Sequence, residues 1–146
     1  MKEKIFIDTD VILDVVFERR PFFHDSQKVL SLIEKNYFIG FTSSLILANC
    51  YYIISNNKNK NTAAKTVSKL RSIMTVLPFT DKEIGESLNS NLKDFEDGIQ
   101  YFISINNGLD TIITRNIADY KNVNIHIFMP NDFLNLEKIK TIIELK

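Results

Sequence analysis

The sequence predicts an α/β fold, a three-layer α/β/α arrangement with a central parallel sheet of about five strands. Three observations carry that expectation. Short apolar runs rich in β-branched residues alternate with longer stretches of helical periodicity. The short runs show little in–out alternation, as suits strands buried on both faces. Strand–helix–strand succession joins parallel strands through right-handed crossovers, which places helices on both sides of the sheet. With 146 residues, 45% of them hydrophobic and 25% charged, the chain matches one globular domain over 1–146 rather than a disordered or fibrous protein.

Residues 4–8 read as the first strand, an apolar triplet stopped by Asp8. Helical periodicity follows around Phe22, Phe23, Val29, Leu30 and Ile33, with Lys28, Glu34 and Lys35 off the apolar face. Residues 38–42 read as the second strand. Residues 45–55 are apolar nearly all round, which predicts a deeply packed helix. The polar stretch 55–62 reads as a flexible insertion, and 59–71 as a helix with a thin stripe of Ala63, Val67 and Leu70. Residues 74–78 form the third predicted strand. Ile84, Leu88 and Leu92, spaced by four, predict one helical stripe, and Phe95, Ile99, Phe102 and Ile103 another, stopped at Gly108. Residues 111–114 and 125–128 complete the strands.

Composition removes several functional classes. Lys plus Arg and Asp plus Glu each total 18, so no net positive charge coats nucleic acid. Any nucleic-acid chemistry must come from where the charges sit. The single cysteine, Cys50, permits no intrachain disulfide, and it lies in an apolar run as a small hydrophobe rather than as an activated thiol. Two histidines and one cysteine argue against a structural zinc site. No apolar run reaches about 18 residues. The N-terminal residues also lack the form of a signal or transit peptide. The expectation is a cytoplasmic protein with no membrane partner.

The acids are placed more tellingly. In an open α/β sheet, ligands bind outside the carboxyl ends of the strands. Asp8, Thr9, Asp10 and Asp14 follow the first predicted strand, and Thr42, Ser43, Ser44 and then Asn49 follow the second. Asp94, Glu96 and Asp97 open the helix before the fourth, and Thr114, Arg115, Asn116 and Asp119 follow it. Oxygen-rich acidic clusters take Mg²⁺ or Mn²⁺. Capping competes as an explanation. Thr80-Asp81-Lys82-Glu83 has the form of a capping box, and Asp94 to Asp97 and Asn116 to Asp119 share its spacing. Asp8 differs, because it ends an apolar strand where an unpaired carboxylate is costly to bury.

These residues carry a family resemblance. Ile5-Phe6-Ile7-Asp8-Thr9-Asp10-Val11-Ile12-Leu13-Asp14, then Arg19-Arg20-Pro21-Phe22, resembles the opening of the PIN domain family. Its members are metal-dependent ribonucleases and include the toxin subunits of many bacterial type II toxin–antitoxin pairs. Asp94-Phe95-Glu96-Asp97-Gly98-Ile99-Gln100 is similar to the acidic helix start of one branch, and Ile112 to Tyr120 to its last block. The resemblance implies a metal site on Asp8 and Asp97, with Asp119 or Asn116 as the last polar residue and Asp10 and Asp94 behind them. Thr9, Ser43, Thr114 and Arg115 are the expected phosphate contacts. Arg19, Arg20, Lys58, Lys60, Lys65 and Lys69 are placed to steer RNA. An antitoxin protein and a homodimer are the implied protein partners.

One position departs from the family pattern. Where its second helix usually carries Glu, this chain has Asn49. An amide still offers a carbonyl oxygen, but it brings no charge and is no general base. Two functions therefore compete: a Mg²⁺- or Mn²⁺-dependent ribonuclease using Asp8, Asp97, Asp119 and Asn49, and a degenerate PIN-like module that binds RNA or protein. Asp8-Thr9-Asp10 also looks like the nucleophile motif of haloacid-dehalogenase-type phosphatases, but no lysine falls at a suitable strand end. A response-regulator receiver lacks its phosphorylatable Asp after the third strand, which ends Leu77-Pro78-Phe79-Thr80.

Overall fold

The apolar triplet Ile5, Phe6 and Ile7 is wholly buried in the middle of the molecule. It forms the central strand of the computed structural model, which describes residues 2–145. The strands are β1 (Lys4–Ile7), β2 (Ile39–Ser43), β3 (Thr75–Leu77), β4 (Thr111–Ile113) and β5 (His126–Phe128). They make one parallel sheet in the order β3-β2-β1-β4-β5. Around it lie α1 (Thr9–Val16), α2 (Phe23–Glu34), α3 (Ser44–Asn57), α4 (Lys60–Ile73), α5 (Asp81–Leu88), α6 (Phe95–Asn106), α7 (Pro130–Leu134) and α8 (Glu137–Glu144). A 3₁₀ turn spans Ile117–Tyr120. The three-layer α/β/α architecture and all five strands match the expectation from sequence.

The topology fixes where a site can form. From β1 the chain builds outward through β2 to β3, then returns to the other side of β1 with β4 and β5. The winding direction reverses between β1 and β4, where Phe6 pairs with Ile112 and Ile7 with Ile113. A crevice opens at such a switch point, because the helices after the two strands leave in different directions. Asp8 and Thr114 are the next residues on these two strands.

Four local expectations change. The stretch 55–62 is no flexible insertion but a tight hairpin between α3 and α4. Asn59 caps α4 by accepting from Thr62 N at 2.7 Å, and Lys58 N closes α3 onto Ile54 O at 2.8 Å. Polar residues here serve as caps. Helix α3 buries Ile46, Leu47, Cys50 and Ile54 but leaves Tyr52 exposed, so it is packed on one side only. The Ile84–Leu88–Leu92 stripe breaks, because α5 ends at an exposed Leu88 and Leu92 lies beyond it. Helices α7 and α8, which the sequence reading did not foresee, close the carboxyl end. Phe133 of α7 packs edge-on against Phe38 at 5.3 Å between ring centres. Gly108 stops α6 as expected, at a φ of 72° that disfavours side chains.

Candidate metal centre

The switch point presents Asp8. Its backbone N donates to Ile113 O at 3.0 Å, prolonging the β1–β4 ladder by one residue. Its extended backbone makes it the N-cap of α1, and its Oδ1 accepts from Thr9 N at 2.8 Å. Oδ2 accepts from Thr114 Oγ1 at 2.9 Å and lies 3.2 Å from the Tyr120 hydroxyl. Only 4% of Asp8 is exposed. Burial pushes its carboxyl above the ordinary range despite these donors.

Helix α6 brings Asp97. Asp94 caps that helix by accepting from Asp97 N at 2.9 Å, which confirms the capping reading there. The Tyr120 hydroxyl lies 3.4 Å from Asp97 Oδ1, so one phenol sits between the two buried carboxyl groups. Asp119, from the 3₁₀ turn, is within hydrogen-bonding reach of Asp97. Burial, then repulsion from Asp8, Asp94 and Asp119, pushes Asp97 up to about 8. Asp10 is pushed up to about 7, chiefly by burial and then by Asp8. Its Oδ2 accepts from Arg115 N at 3.1 Å, while its buried Oδ1 has no hydrogen-bond partner among the described residues.

These acids share one cavity of about 500 Å³. Asp8, Thr9, Asp10, Asn49, Asp94, Asp97, Asn116 and Asp119 all line it. Sequence reasoning thus named residues from four elements that fold to one place. Asn116 shows no capping side-chain bond, against the cap suggested by its spacing, and its N donates to Thr114 Oγ1 at 3.1 Å. The short 3₁₀ turn that follows offers no α-helical first turn to cap.

Three expected contacts lie behind the wall. Ser43 is fully buried and caps α3 through Ile46 N at 3.1 Å while donating to Gln100 Oε1 at 2.8 Å. Thr114 is fully buried against Asp8. The Arg115 guanidinium turns to Asp14, at 2.6 and 2.9 Å, and stacks on Phe22 with its Cζ 4.1 Å from the ring centre. Cys50 is buried, which pushes its thiol up to about 12 and leaves it unreactive.

Tyr120 and Gln100 are contributors that the sequence reading did not single out, and Glu96 was named there only as one of the acids that open the helix, with no role in the site. Tyr120 closes the last block four residues after Asn116. Glu96 precedes Asp97, and Gln100 follows it by one helical turn. Glu96 accepts from Asn49 Nδ2 at 3.3 Å.

The donor set fits a hard divalent cation. Every group that faces the cavity with charge is a carboxylate, apart from Arg19 at its edge. Among the described residues no ion pair engages Asp8, Asp97, Asp119 or Glu96; the pairs are Lys69–Glu34, Arg115–Asp14 and Lys138–Glu3. Crowded, elevated carboxyl groups and an orphaned Asp10 oxygen are what a cation would relieve. As placed, no three His, Cys, Asp or Glu side chains among the described residues close on one ion-sized point. The Tyr120 hydroxyl stands between two of them.

A larger groove of about 800 Å³ lies apart from the acids, between α1, α2 and α4. Its floor includes Ile12, Leu30, Leu70 and Ile73, and Lys28, Lys35, Lys58, Lys65 and Lys69 rim it. Lys58, Lys65 and Lys69, three of the lysines expected to steer RNA, therefore face an apolar groove rather than the acidic cavity. No helix among the described residues is long and apolar enough to cross a membrane.

Comparison with known proteins agrees with this fold. The chain is 28% identical over 123 residues to Ribonuclease VapC1 of Aquifex aeolicus (strain VF5), covering 81% of this chain and 85% of that protein. Solved structures share the fold at lower identity. VapBC2 from Rickettsia felis, bound to a DNA fragment from its promoter, aligns with a TM-score of 0.63 at 18% identity, covering 85% of this chain and 96% of that one. Mycobacterium tuberculosis VapC20, described as a sarcin–ricin loop cleaving toxin, aligns with a TM-score of 0.64 at 12% identity, covering 84% and 98%. The family model for the PIN domain matches residues 4–118, from the start of β1 into the 3₁₀ turn that carries Asp119 and Tyr120, and the chain belongs to the PIN domain family.

Proposed function

We propose that this chain, acting as one domain over 1–146, is a divalent-metal-dependent endoribonuclease and the toxin of a toxin–antitoxin pair. The observation that carries the reading is the gathering of Asp8, Asp97 and Asp119 at the β1–β4 switch point with no lysine or arginine among the described residues ion-paired to them. Those three would hold Mg²⁺ or Mn²⁺, with Asn49 and Asn116 offering amide oxygens and Asp10 and Asp94 adding negative charge. A bound divalent cation supplies an activated water and neutralises charge on the phosphate.

The chain's own residues account for the rest. Thr114, Thr9 N and Tyr120 aim the Asp8 carboxylate, and Asp94 fixes the first turn of α6 beneath Asp97. At neutral pH without a cation, Asp97 holds its proton and shares a hydrogen bond with Asp119. Arg19, at the cavity edge, is placed to meet an RNA phosphate. An antitoxin segment with an apolar face and acidic flanks suits the lysine-rimmed groove. A chain with these roles would act in the cytoplasm, in keeping with an RNA substrate.

The test is RNA cleavage by chelator-treated protein, with Mg²⁺ or Mn²⁺ added back, beside an Asp8→Ala control. Cleavage restored in wild type and absent in the variant is expected. Equal cleavage by both would remove the mechanism. Asn49 and the lack of a three-carboxylate convergence among the described residues favour a second reading, a PIN-like binding module with a weakened metal site. It requires that the wild type neither bind metal nor cut RNA and that Asn49→Glu do both.

A further inference from the structure

We propose that Glu96, held by Asn49, supplies the carboxylate that position 49 does not carry. This rests on the metal-dependent reading above and names how the departure from the family pattern is accommodated.

The two residues meet across the cavity from different helices. Asn49 lies on the second turn of α3, half-buried, and Glu96 on the first turn of α6. Asn49 Nδ2 donates to Glu96 Oε2 at 3.3 Å, and both line the cavity that holds Asp8, Asp97 and Asp119. Among the described residues Glu96 has no ion pair. It is therefore a carboxylate lining an already acidic cavity, anchored by an amide and not ion-paired to any described residue.

The chemistry of the pair explains why position 49 is an amide. A glutamate there would face Glu96 across a few ångströms, and two carboxylates at that separation repel unless a cation or proton lies between them. An amide turns the contact into a hydrogen bond, and its nitrogen takes one Glu96 oxygen. The other Glu96 oxygen and Asn49 Oδ1 remain to face an ion or its water ligands. The carboxylate count of the cavity is thus kept, with the charge delivered from α6 rather than α3. Glu96 is also on the first turn of α6, where a negative charge is favoured by the helix dipole. That offsets part of the repulsion it meets from Asp97.

Glu96 is exposed while Asp8 and Asp97 are buried. It therefore acts as a positioning residue at the rim, setting the affinity for the cation. Groups in that position change metal affinity by about 10–100-fold.

Calorimetric titration of Mn²⁺ into wild type, Glu96→Gln, Asn49→Glu/Glu96→Gln and Asp8→Asn tests the exchange. Glu96→Gln is expected to weaken Mn²⁺ binding about 10-fold, and the double variant to recover most of that loss. Circular dichroism on each variant separates loss of affinity from loss of fold. Wild-type affinity in Glu96→Gln, with binding lost in Asp8→Asn, overturns the role of Glu96 while leaving the metal reading standing. A weakened single variant with no recovery in the double variant overturns the exchange between the two positions. No Mn²⁺ binding by wild type overturns the metal reading and this inference with it.

Discussion

Asp97 illustrates how a functional residue opposes stability. Its carboxyl has an ordinary value of 3.8 and is pushed up to about 8 in the fold. Between those values the folded state holds more protons than the unfolded chain, so stability falls as the pH rises through that window. Replacing the acid by its amide removes the charge that burial and neighbours resist. Asp97→Asn is expected to melt higher than wild type at pH 8, by about 2–4 °C per kcal/mol relieved, and with little difference near pH 4. A lower melting temperature for the variant at pH 8, read by thermal denaturation without divalent metal, would contradict the strain. Residues of this kind were partly legible. Asp8 was conspicuous because a carboxylate ended an apolar strand, and Asp94 because it had cap spacing. Tyr120 and Gln100 were not, because their partners lie 112 and 57 residues away in sequence.

Arg115 shows the same limit from the other side. A strand-end arginine near acids reads as a phosphate ligand, but the fold gives it a fully buried Asp14 and the Phe22 ring. It ties the end of β4 to α1 and α2, with Ser26 Oγ donating to the same carboxylate at 3.3 Å. Arg115→Met leaves Asp14 buried and unpaired, and a loss of about 3–5 kcal/mol is expected in chemical denaturation. A change within 0–1 kcal/mol, as exposed pairs give, would show that the pair is a surface contact.

At the scale of elements, α5 and α6 approach closely at Gly98. A Cβ there would meet Ser87 Oγ at 2.1 Å, and that hydroxyl is already committed to Phe95 O at 2.8 Å. Gly98→Ala should therefore cost about 1–3 kcal/mol through overpacking. Ser87→Ala in the same chain should recover part of it. An additive double variant, measured by denaturant midpoints, would rule out the contact. The Gly98 backbone matters to the site because Asp97 immediately precedes it on α6 and Glu96 stands two residues before it. Strands were legible because buried parallel strands leave unbroken apolar runs. Helix limits were less so. Asn59 and Lys58 look like loop residues in isolation and become caps only once α3 and α4 are packed together. Leu88 and Leu92 keep helical spacing past the point where the chain stops being helical, since spacing alone does not report the end.

For the whole molecule, zero net charge conceals separation. Acids collect at the β1–β4 edge, and lysines rim an apolar groove between α1, α2 and α4. A cation would therefore bind where carboxyl groups hold protons, and binding must displace them. Mn²⁺ is expected to raise the melting temperature of wild type by mass action, more at pH 8 than at pH 6, and not to raise that of Asp8→Asn. An equal rise in both proteins would place the ion elsewhere. The fold, the strand order's consequence for the site and the acidic cavity follow from strand ends that the sequence displays. The pairing of Asn49 with Glu96 does not, because it joins two residues that are 47 positions apart on different helices.

The metal centre is tested most directly by anomalous diffraction from crystals of this protein soaked in Mn²⁺. The expected map has a manganese peak inside the cavity formed by Asp8, Asp97 and Asp119, with the Tyr120 hydroxyl displaced from between the first two. A peak at a surface acid outside the cavity, with the Tyr120 bridge intact and the cavity empty, would contradict it.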